Sequence, residues 1–413
     1  MNRQLGHRWH RGLRGLRGLR GLRGLRGPRG LRSLLALVAL LAPLTFASCE
    51  REPELHLYRS AQPDFELPLV DLDLEVYWDY EIEYGIHYDW QAEWYYGWDE
   101  YDVAMFGEIG YTEPSAFQMR RYYTGQTPFA PHTSVIRAYI EGTHFQGLYD
   151  WGFWDVLLWN DIKTKDGVQS IIIDESTTLD SVFAYTNQTM HASRYNAPRY
   201  THAFNMPEPL FAAYEQGIDI NENLEGFVFN EERGAWVRTL KMKLLPITYI
   251  YLPQVILHNN KGRITSIDGT ADLSGMARST NVNTRVAGED AITVYFNANL
   301  KKNCKKEGEL VDIIGGRLLT FGICGSEANK ITRASEVNDQ HRHYMDFTMQ
   351  FNNGIDSTFV FDVTDQVRQR YKGGVITVEL DVDTVPIPTR SGGSGFDAVV
   401  KDFEDGGTHE FEM

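Results

Sequence analysis

The chain has 413 residues, too many for one ordinary domain, and suits a leader followed by two domains of roughly 100 to 200 residues each. Its formal charge is −16, yet the first 49 residues hold ten Arg and no acid, so the remainder stands at −26. An acidic body of that kind repels phosphate backbones and sets nucleic acid aside as a partner, while an aromatic share of 13% argues against disorder.

Residues 11–32, RGLRGLRGLRGLRGLRGPRGLR, place glycine at every third position and segregate no face at helical spacing, which predicts no folded structure. Directly before an apolar run they read as the basic region of an export signal rather than an arm for nucleic acid. From Ser33 to Ser48 there are 16 mostly apolar residues, broken by Pro43, short of the roughly 20 that cross a bilayer as a helix. The run ends in Phe46-Ala47-Ser48-Cys49. A small pair before a cysteine resembles the lipobox of bacterial lipoproteins, although Phe46 stands where leucine is usual. The resemblance implies cleavage before Cys49, lipidation of its thiol and acylation of the new amino terminus. Several acyl chains hold far more firmly than one, at about 0.8 kcal/mol per buried methylene. Glu50, Glu52 and Glu54 follow; they read as a solvated tether, or resemble the acidic tags that send some Gram-negative lipoproteins to the outer face of the outer membrane.

From Val70 to Tyr84, apolar and aromatic residues hold the even positions and acids most of the odd ones. Period two predicts a strand with one face in a core and one row of carboxylates in water, as in an antiparallel sheet solvated on one side, with a bend or hairpin near Gly85. The segments SVIRAYIEG, WDVLLWNDI, QSIIIDE, LDSVFAY and GFVFNEERGAWVRTLKMKL read as further strands. Helices are expected at 207–217, PEPLFAAYEQG, and at 363–374, VTDQVRQRYKGG, the latter with Thr364 as N-cap and Gly373 as its stop. From Trp236 a second β-rich half begins, ending in strand, hairpin, strand, helix and strand over 343–382. Without regular alternation of strand and long helix, the pattern predicts two β-sandwiches in tandem: a leader and signal over 1–48, a tether over 49–69, domains over 70–235 and 236–390, and a tail over 391–413. In that tail a Gly/Ser linker precedes GFDAVVKDF, one more strand that either completes its own sandwich or adds to a neighbour's edge.

The sequence holds no phosphate loop, no GxSxG elbow and no HExxH helix, and we expect neither catalysis nor a cofactor. His341 and His343 share a strand face as a metal pair would, but no third ligand is marked, so solvated histidines and no metal are expected. The acids of VDLDLE, a conceivable calcium cluster or carboxylate pair, are already accounted for by a wet sheet face. Once Cys49 is lipidated, Cys304 and Cys324 remain: an exported chain can join them in a disulfide worth roughly 3 kcal/mol, or they are two free thiols, and both readings stand open. The densest anomaly is residues 77–101, with eleven aromatics in 25 positions, four of them Trp. Aromatic faces beside carboxylates suit a glycan platform. The even spacing of Trp90, Trp94 and Trp98 instead points those rings into a core or a protein interface.

Four features carry a wider resemblance: the lipobox at Cys49, the strand VDLDLEVYWDYEI, the block LPITYIYLPQVILHNNKGRITSIDGTADLSGMA, and DSTFVFDVTDQVRQRYKGGVITVELDV with its glycine-rich tail. Together they resemble the fimbrillin-type accessory and anchor lipoproteins of Gram-negative gut and oral anaerobes, within a branch known only as a domain of unknown function. The resemblance implies two transthyretin-like β-sandwiches, no catalysis, an outer-membrane lipid anchor on Cys49, and a role in tethering or assembling surface fimbriae through strand addition to fimbrial subunits or other envelope proteins. The competing expectation is a lipoprotein that captures glycan on residues 77–101.

Overall fold

The computed structural model describes residues 68–77, 88–128, 130–162, 169–175, 182–192, 202–325, 328, 342–389 and 398–400. Cys49 and the leader lie outside them, as does most of the tail. The expected alternation is visible in β1 (Leu69–Val76), where Val70, Leu72 and Leu74 are buried and Asp73 and Glu75 are exposed; its continuation over 78–84 lies outside the described residues. Asp71 departs from the expected wet face. It is buried, and its carboxylate accepts from Gln146 Nε2 at 2.9 Å and Arg233 Nη1 at 2.8 Å, so a charge that burial alone would penalise is held in its ionised form. Its side-chain pKa is lowered despite desolvation, through those hydrogen bonds and the Arg233 charge.

The first sheet runs in the order β3-β2-β5-β10-β12-β1-β4, with β11 on β12; its members are β2 (Ala116–Gly125), β3 (Ser134–Glu141), β4 (His144–Leu148), β5 (Gly152–Asn160), β10 (Phe211–Ile220), β11 (Val228–Asn230) and β12 (Ala235–Pro246). The pairing is mostly antiparallel, but β1 runs parallel to β12, with Leu69 opposite Val237 and Val76 opposite Leu244. β3 and β4 stand at the two ends of this order yet are separated in sequence only by Gly142 and Thr143. The sheet must therefore roll until its ends meet, and Gly142, at φ +77°, makes the corner that an L-residue resists. Inside the roll pack Val70, Leu72, Leu74, Phe117, Met119, Trp154, Val156, Leu158, Phe211 and Leu244.

β5 is buried on both faces. Trp154, Val156 and Leu158 face the roll, while Leu157 and Trp159 face a second cluster with Tyr122, Leu210, Ala212 and Phe321. A small sheet of β6 (Ile171–Asp174), β7 (Phe183–Thr186) and β15 (Ser279–Asn281) supplies Ile171 and Ala184 to that cluster. The same double burial converts the expected helix at 207–217 into strand β10. Phe211 and Ala213 enter one core and Leu210 and Ala212 the other, a period of two that overrides the helix propensity of Leu, Ala and Glu.

The second sheet follows the order β18-β13-β17-β16-β14-β19-β20-β22, with β21 on β13, β9 on β16 and β8 on β9. Its strands are β8 (Gln188–Ala192), β9 (His202–Asn205), β13 (Tyr249–His258), β14 (Ile264–Ala277), β16 (Ala291–Lys306), β17 (Glu309–Gly316), β18 (Leu318–Thr320), β19 (Tyr344–Phe351), β20 (Asp356–Asp362), β21 (Gly374–Asp381) and β22 (Ala398–Val400). β16 pairs with β14 through its first half and with β17 through its second, joining two layers around Leu257, Leu273, Phe296, Phe347, Phe351, Phe359 and Ile376. β13 too is buried on both faces. Pro253, which has no N–H to give, stands where its antiparallel partner changes from β18 to β17. Of the expected helix at 363–374, Thr364–Gln369 is helical. Its cap position is Val363 rather than Thr364; Thr364 is the first helical residue, and its N–H and hydroxyl both donate to Asp362. The helix stops earlier than expected, at Gln369 with Arg370 as its C-cap, and Gly373, at φ +99°, turns the chain three residues beyond that cap.

Candidate functional site

The described part of the aromatic segment, residues 88–101, continues through 111 as a strap across the outer face of the second sheet. α1 (Trp90–Glu93) is capped by Asp89, whose Oδ1 accepts from Ala92 N at 3.3 Å. α2 (Glu100–Phe106) opens with a reciprocal capping box between Asp99 and Asp102 and closes at Gly107, φ +88°. Between these helices the chain is extended. Trp94, Tyr96 and Trp98 form a ladder with ring centroids 5.5 and 6.3 Å apart, and Phe106 closes on Trp98 at 5.7 Å. Trp94 and Tyr96 are buried against Ile250, Leu252, Ile256, Ile313 and Val375, whereas Trp90 and Trp98 are half-buried at the margin. The even spacing of the three tryptophans thus arises from one short helix and one extended stretch rather than from a sheet strand.

Polar contacts fix the strap at both ends and in the middle. Gln254, fully buried on β13, accepts the N–H groups of Tyr95 and Tyr96 at 3.0 and 3.2 Å, and donates to Glu93 O at 2.7 Å and Thr377 Oγ1 at 2.9 Å. Tyr88 Oη accepts from Val375 N at 2.9 Å and Arg370 Nε at 3.1 Å, while Arg370 Nη2 donates to Glu93 at 2.6 Å. Burial raises the Tyr88 phenol pKa, against the opposing effect of those donors. Arg317 donates to the carbonyls of Ile109 and Gly110 at 2.9 and 3.1 Å, and Tyr111 Oη donates to Thr248 O. Gly315 makes the ladder's seat: a Cβ there would lie 2.4 Å from two atoms of the Tyr96 ring. Lys301 bridges Asp99 and the fully buried Asp102 and lies 4.3 Å from the Tyr96 ring centroid. Its hydrogen bond is the chief reason that the Asp99 carboxyl is held down to about 2.

Other sequence candidates fall elsewhere. His343 is fully buried, not solvated, with Nδ1 at 3.2 Å from Ser274 O, and His341 lies outside the described residues. The His343 ring packs against Gly275, where a Cβ would lie 2.6 Å from Nδ1, and strand β19 begins only at the next residue, Tyr344. Among the described residues no group of three metal-binding side chains occurs, and no helix is long and apolar enough to cross a membrane. Cys324 and Cys304 are not joined in a disulfide and lie in different apolar clusters, Cys324 with Phe321 and Leu210, Cys304 at the margin of the strap's seat. Of VDLDLE, Asp71 is engaged as described and Asp73 Oδ1 lies 3.0 Å from His144 Nδ1.

No family model and no curated protein matches the chain. Among solved structures it is similar to a candidate adhesin from Bacteroides ovatus, at 14% identity over 79% of this chain and 98% of that one, with a TM-score of 0.44. It is also similar to a candidate polysaccharide-binding protein from Bacteroides thetaiotaomicron, at 8% identity over 76% and 91% of the two chains and a TM-score of 0.39. A third is the fimbrial anchor protein Mfa2 from Porphyromonas gingivalis, at 11% identity over 83% and 95% and a TM-score of 0.37.

Sequence reasoning marked the tryptophans but not what holds them. Gln254 is 159 positions from Tyr95 and Lys301 is 199 from Asp102, and neither is flagged by any local pattern. The exposed pair Phe229 and Trp236, with ring centroids 5.5 Å apart across the β11–β12 hairpin, was equally silent. Only the Asp99-to-Asp102 spacing carried a readable signal, the capping box.

Proposed function

We propose that this chain is an outer-membrane surface lipoprotein, fixed through acyl groups on Cys49, whose two β-sandwich domains hold fimbrial or other envelope proteins by strand addition. The observation that carries this reading is β22. It contributes three residues, Ala398–Val400, parallel to Phe359–Phe361, at the end of the second sheet's order. So short a parallel pairing makes few ladder bonds, and it lies on an edge where a longer strand from another subunit can take its place. The ordered strap and its half-buried edge favour packing for Trp90, Trp94 and Trp98, with glycan capture as the second reading because Trp98 and Trp90 keep part of their surface open.

Two experiments test this. Cells carrying Cys49→Ser should release the protein from the membrane fraction, and retention at wild-type levels would refute the anchor. Deleting residues 396–413 from the full chain should abolish cross-linking to envelope partners in intact cells while the remainder stays folded; unchanged cross-linking would refute strand addition. A glycan array comparing wild type with the Trp90/Trp94/Trp98 triple Ala variant decides the second reading: sugar binding lost by a folded variant supports capture, and no binding by wild type ends it.

A further inference from the structure

One lysine–carboxylate pair differs in its surroundings from the others described. Lys301 on β16 contacts Asp102 on α2; the Asp102 side chain is wholly buried and that of Lys301 is 17% exposed. In the pairs Lys261–Asp383 and Lys306–Glu379 the carboxylates are 42% and 47% exposed. Both oxygens of Asp102 are also addressed by neutral donors. Tyr96 Oη donates to Oδ1 at 2.9 Å and the Asp99 N–H donates to Oδ2 at 3.0 Å. A second carboxylate is in place on the amine: Asp99 Oδ2 lies 2.9 Å from Nζ. It is 59% exposed, so the cluster is closed on the carbonyl side and open to solvent on the Asp99 side.

We propose that Lys301 and Asp102 join in an intramolecular isopeptide bond, with Asp99 as the proton carrier. An ammonium and a carboxylate together contain the atoms of one secondary amide and one water, so no oxidant, cofactor or activated donor is needed. Asp99, whose carboxyl rests well below the usual range, accepts a proton from Nζ only transiently, and in that interval the freed amine attacks Cγ of Asp102. The charge that develops on oxygen meets donors already aimed at it, the Tyr96 hydroxyl and the Asp99 N–H. Asp99 returns its proton to the departing oxygen, the second amine proton follows, the C–O bond breaks as the C–N bond is kept, and water leaves past Asp99.

Two physical terms favour this at a site that would be inert in bulk water. Holding amine and carboxyl in contact replaces a bimolecular encounter with an intramolecular one. Burial of Asp102 penalises the two ions far more than the neutral amide that replaces them, and the one solvent-facing side, at Asp99, gives the released water its way out. The product would tie the strap to β16 across 199 sequence positions, closing a covalent loop around most of the folded chain. This inference does not depend on the proposed function, though a protein loaded in tension at a cell surface gains from such a tie.

The test is peptide mapping of the purified full chain by mass spectrometry after proteolysis under denaturing conditions. The expected result is a branched peptide pair carrying residues 102 and 301, lighter than the sum of its parts by one water, with cleavage after Lys301 blocked. Lys301→Arg should lose the branched species. Asp99→Asn should form less of it, since Asn caps a helix as well as Asp does but carries no proton away. Wild-type protein yielding the two peptides unlinked would overturn the proposal, and an undiminished linked fraction in Asp99→Asn would overturn the role given to Asp99.

Discussion

Replacing Gln254 with leucine removes the central fastening of the strap while nearly preserving volume. The side chain makes four hydrogen bonds, two accepted from Tyr95 and Tyr96 N–H and two donated to Glu93 O and Thr377 Oγ1. Leucine leaves three backbone groups facing apolar atoms, at about 1 kcal/mol or more each, for a loss of about 3 kcal/mol. The cost should fall on the strap before the sheets, because β13 keeps its ladders to β17, β18 and β21. Hydrogen exchange should therefore accelerate at residues 93–98, and tryptophan emission should shift to the red as Trp94 and Trp98 meet water, before the urea midpoint of the whole fold is reached. Gln254→Glu separates the two halves of the site. It keeps the acceptor for Tyr95 and Tyr96 but turns a carboxylate oxygen toward Glu93 O, so the buried charge costs stability at neutral pH. A carboxyl buried in this way has a raised folded-state pKa, and the deficit should shrink as pH falls. If Gln254→Leu changes stability by less than about 0.5 kcal/mol and leaves exchange at 93–98 unaltered, the strap is not held as described.

Gly315→Ala should be destabilising by about 1–3 kcal/mol, because its Cβ would sit 2.4 Å from the Tyr96 ring; an unchanged melting temperature would mean that the ring lies elsewhere. Glu175, on which Arg120 converges at 2.5 and 2.7 Å and Arg137 at 3.0 Å, has a pKa lowered from 4.5, chiefly by the Arg120 hydrogen bond. Its contribution is present above 4.5 and lost as pH falls through the depressed value, so Glu175→Gln should be less stable than wild type at neutral pH and converge with it in acid; a pH-independent difference in urea midpoint would contradict this. Trp236→Ala, by contrast, removes a ring that is 43% exposed on a hairpin, and its unfolding free energy from urea denaturation should stay within about 0.5 kcal/mol of wild type.

How far the fold could be read in advance depended on whether one face or two were buried. β1 is buried on one face except at Asp71, and its alternation announced it. The hairpin of β19 and β20 was equally plain, with Asn352, Asn353 and Gly354 as its turn and Tyr344 opposite Asp362 in register. β10 failed because both faces of Phe211–Ala213 are covered: a strand buried twice has no polar beat to count, and Leu, Ala and Glu then speak for helix. β13 escaped that error only because its Tyr, Ile and Val content favours strands.

The strap was half legible for the same reason. The even spacing of Trp90, Trp94 and Trp98 pointed to one buried side; Trp94 is buried, with Tyr96 beside it, while Trp90 and Trp98 are half-buried, and alternation cannot say whether the cover is the chain's own sheet, its neighbour or a ligand. That is decided by Gln254, Arg317 and Gly315, whose types carry no local signal: a buried glutamine, an arginine reaching backbone carbonyls and a glycine with nothing where Cβ would be. Each satisfies a demand created by the strap, since the N–H and C=O groups of an extended segment without strand partners must find acceptors and donors elsewhere. An aromatic-rich stretch outside any ladder therefore predicts polar side chains inside the apolar face that receives it, and β13 meets that demand at Gln254, the one polar residue between Tyr249 and Leu257.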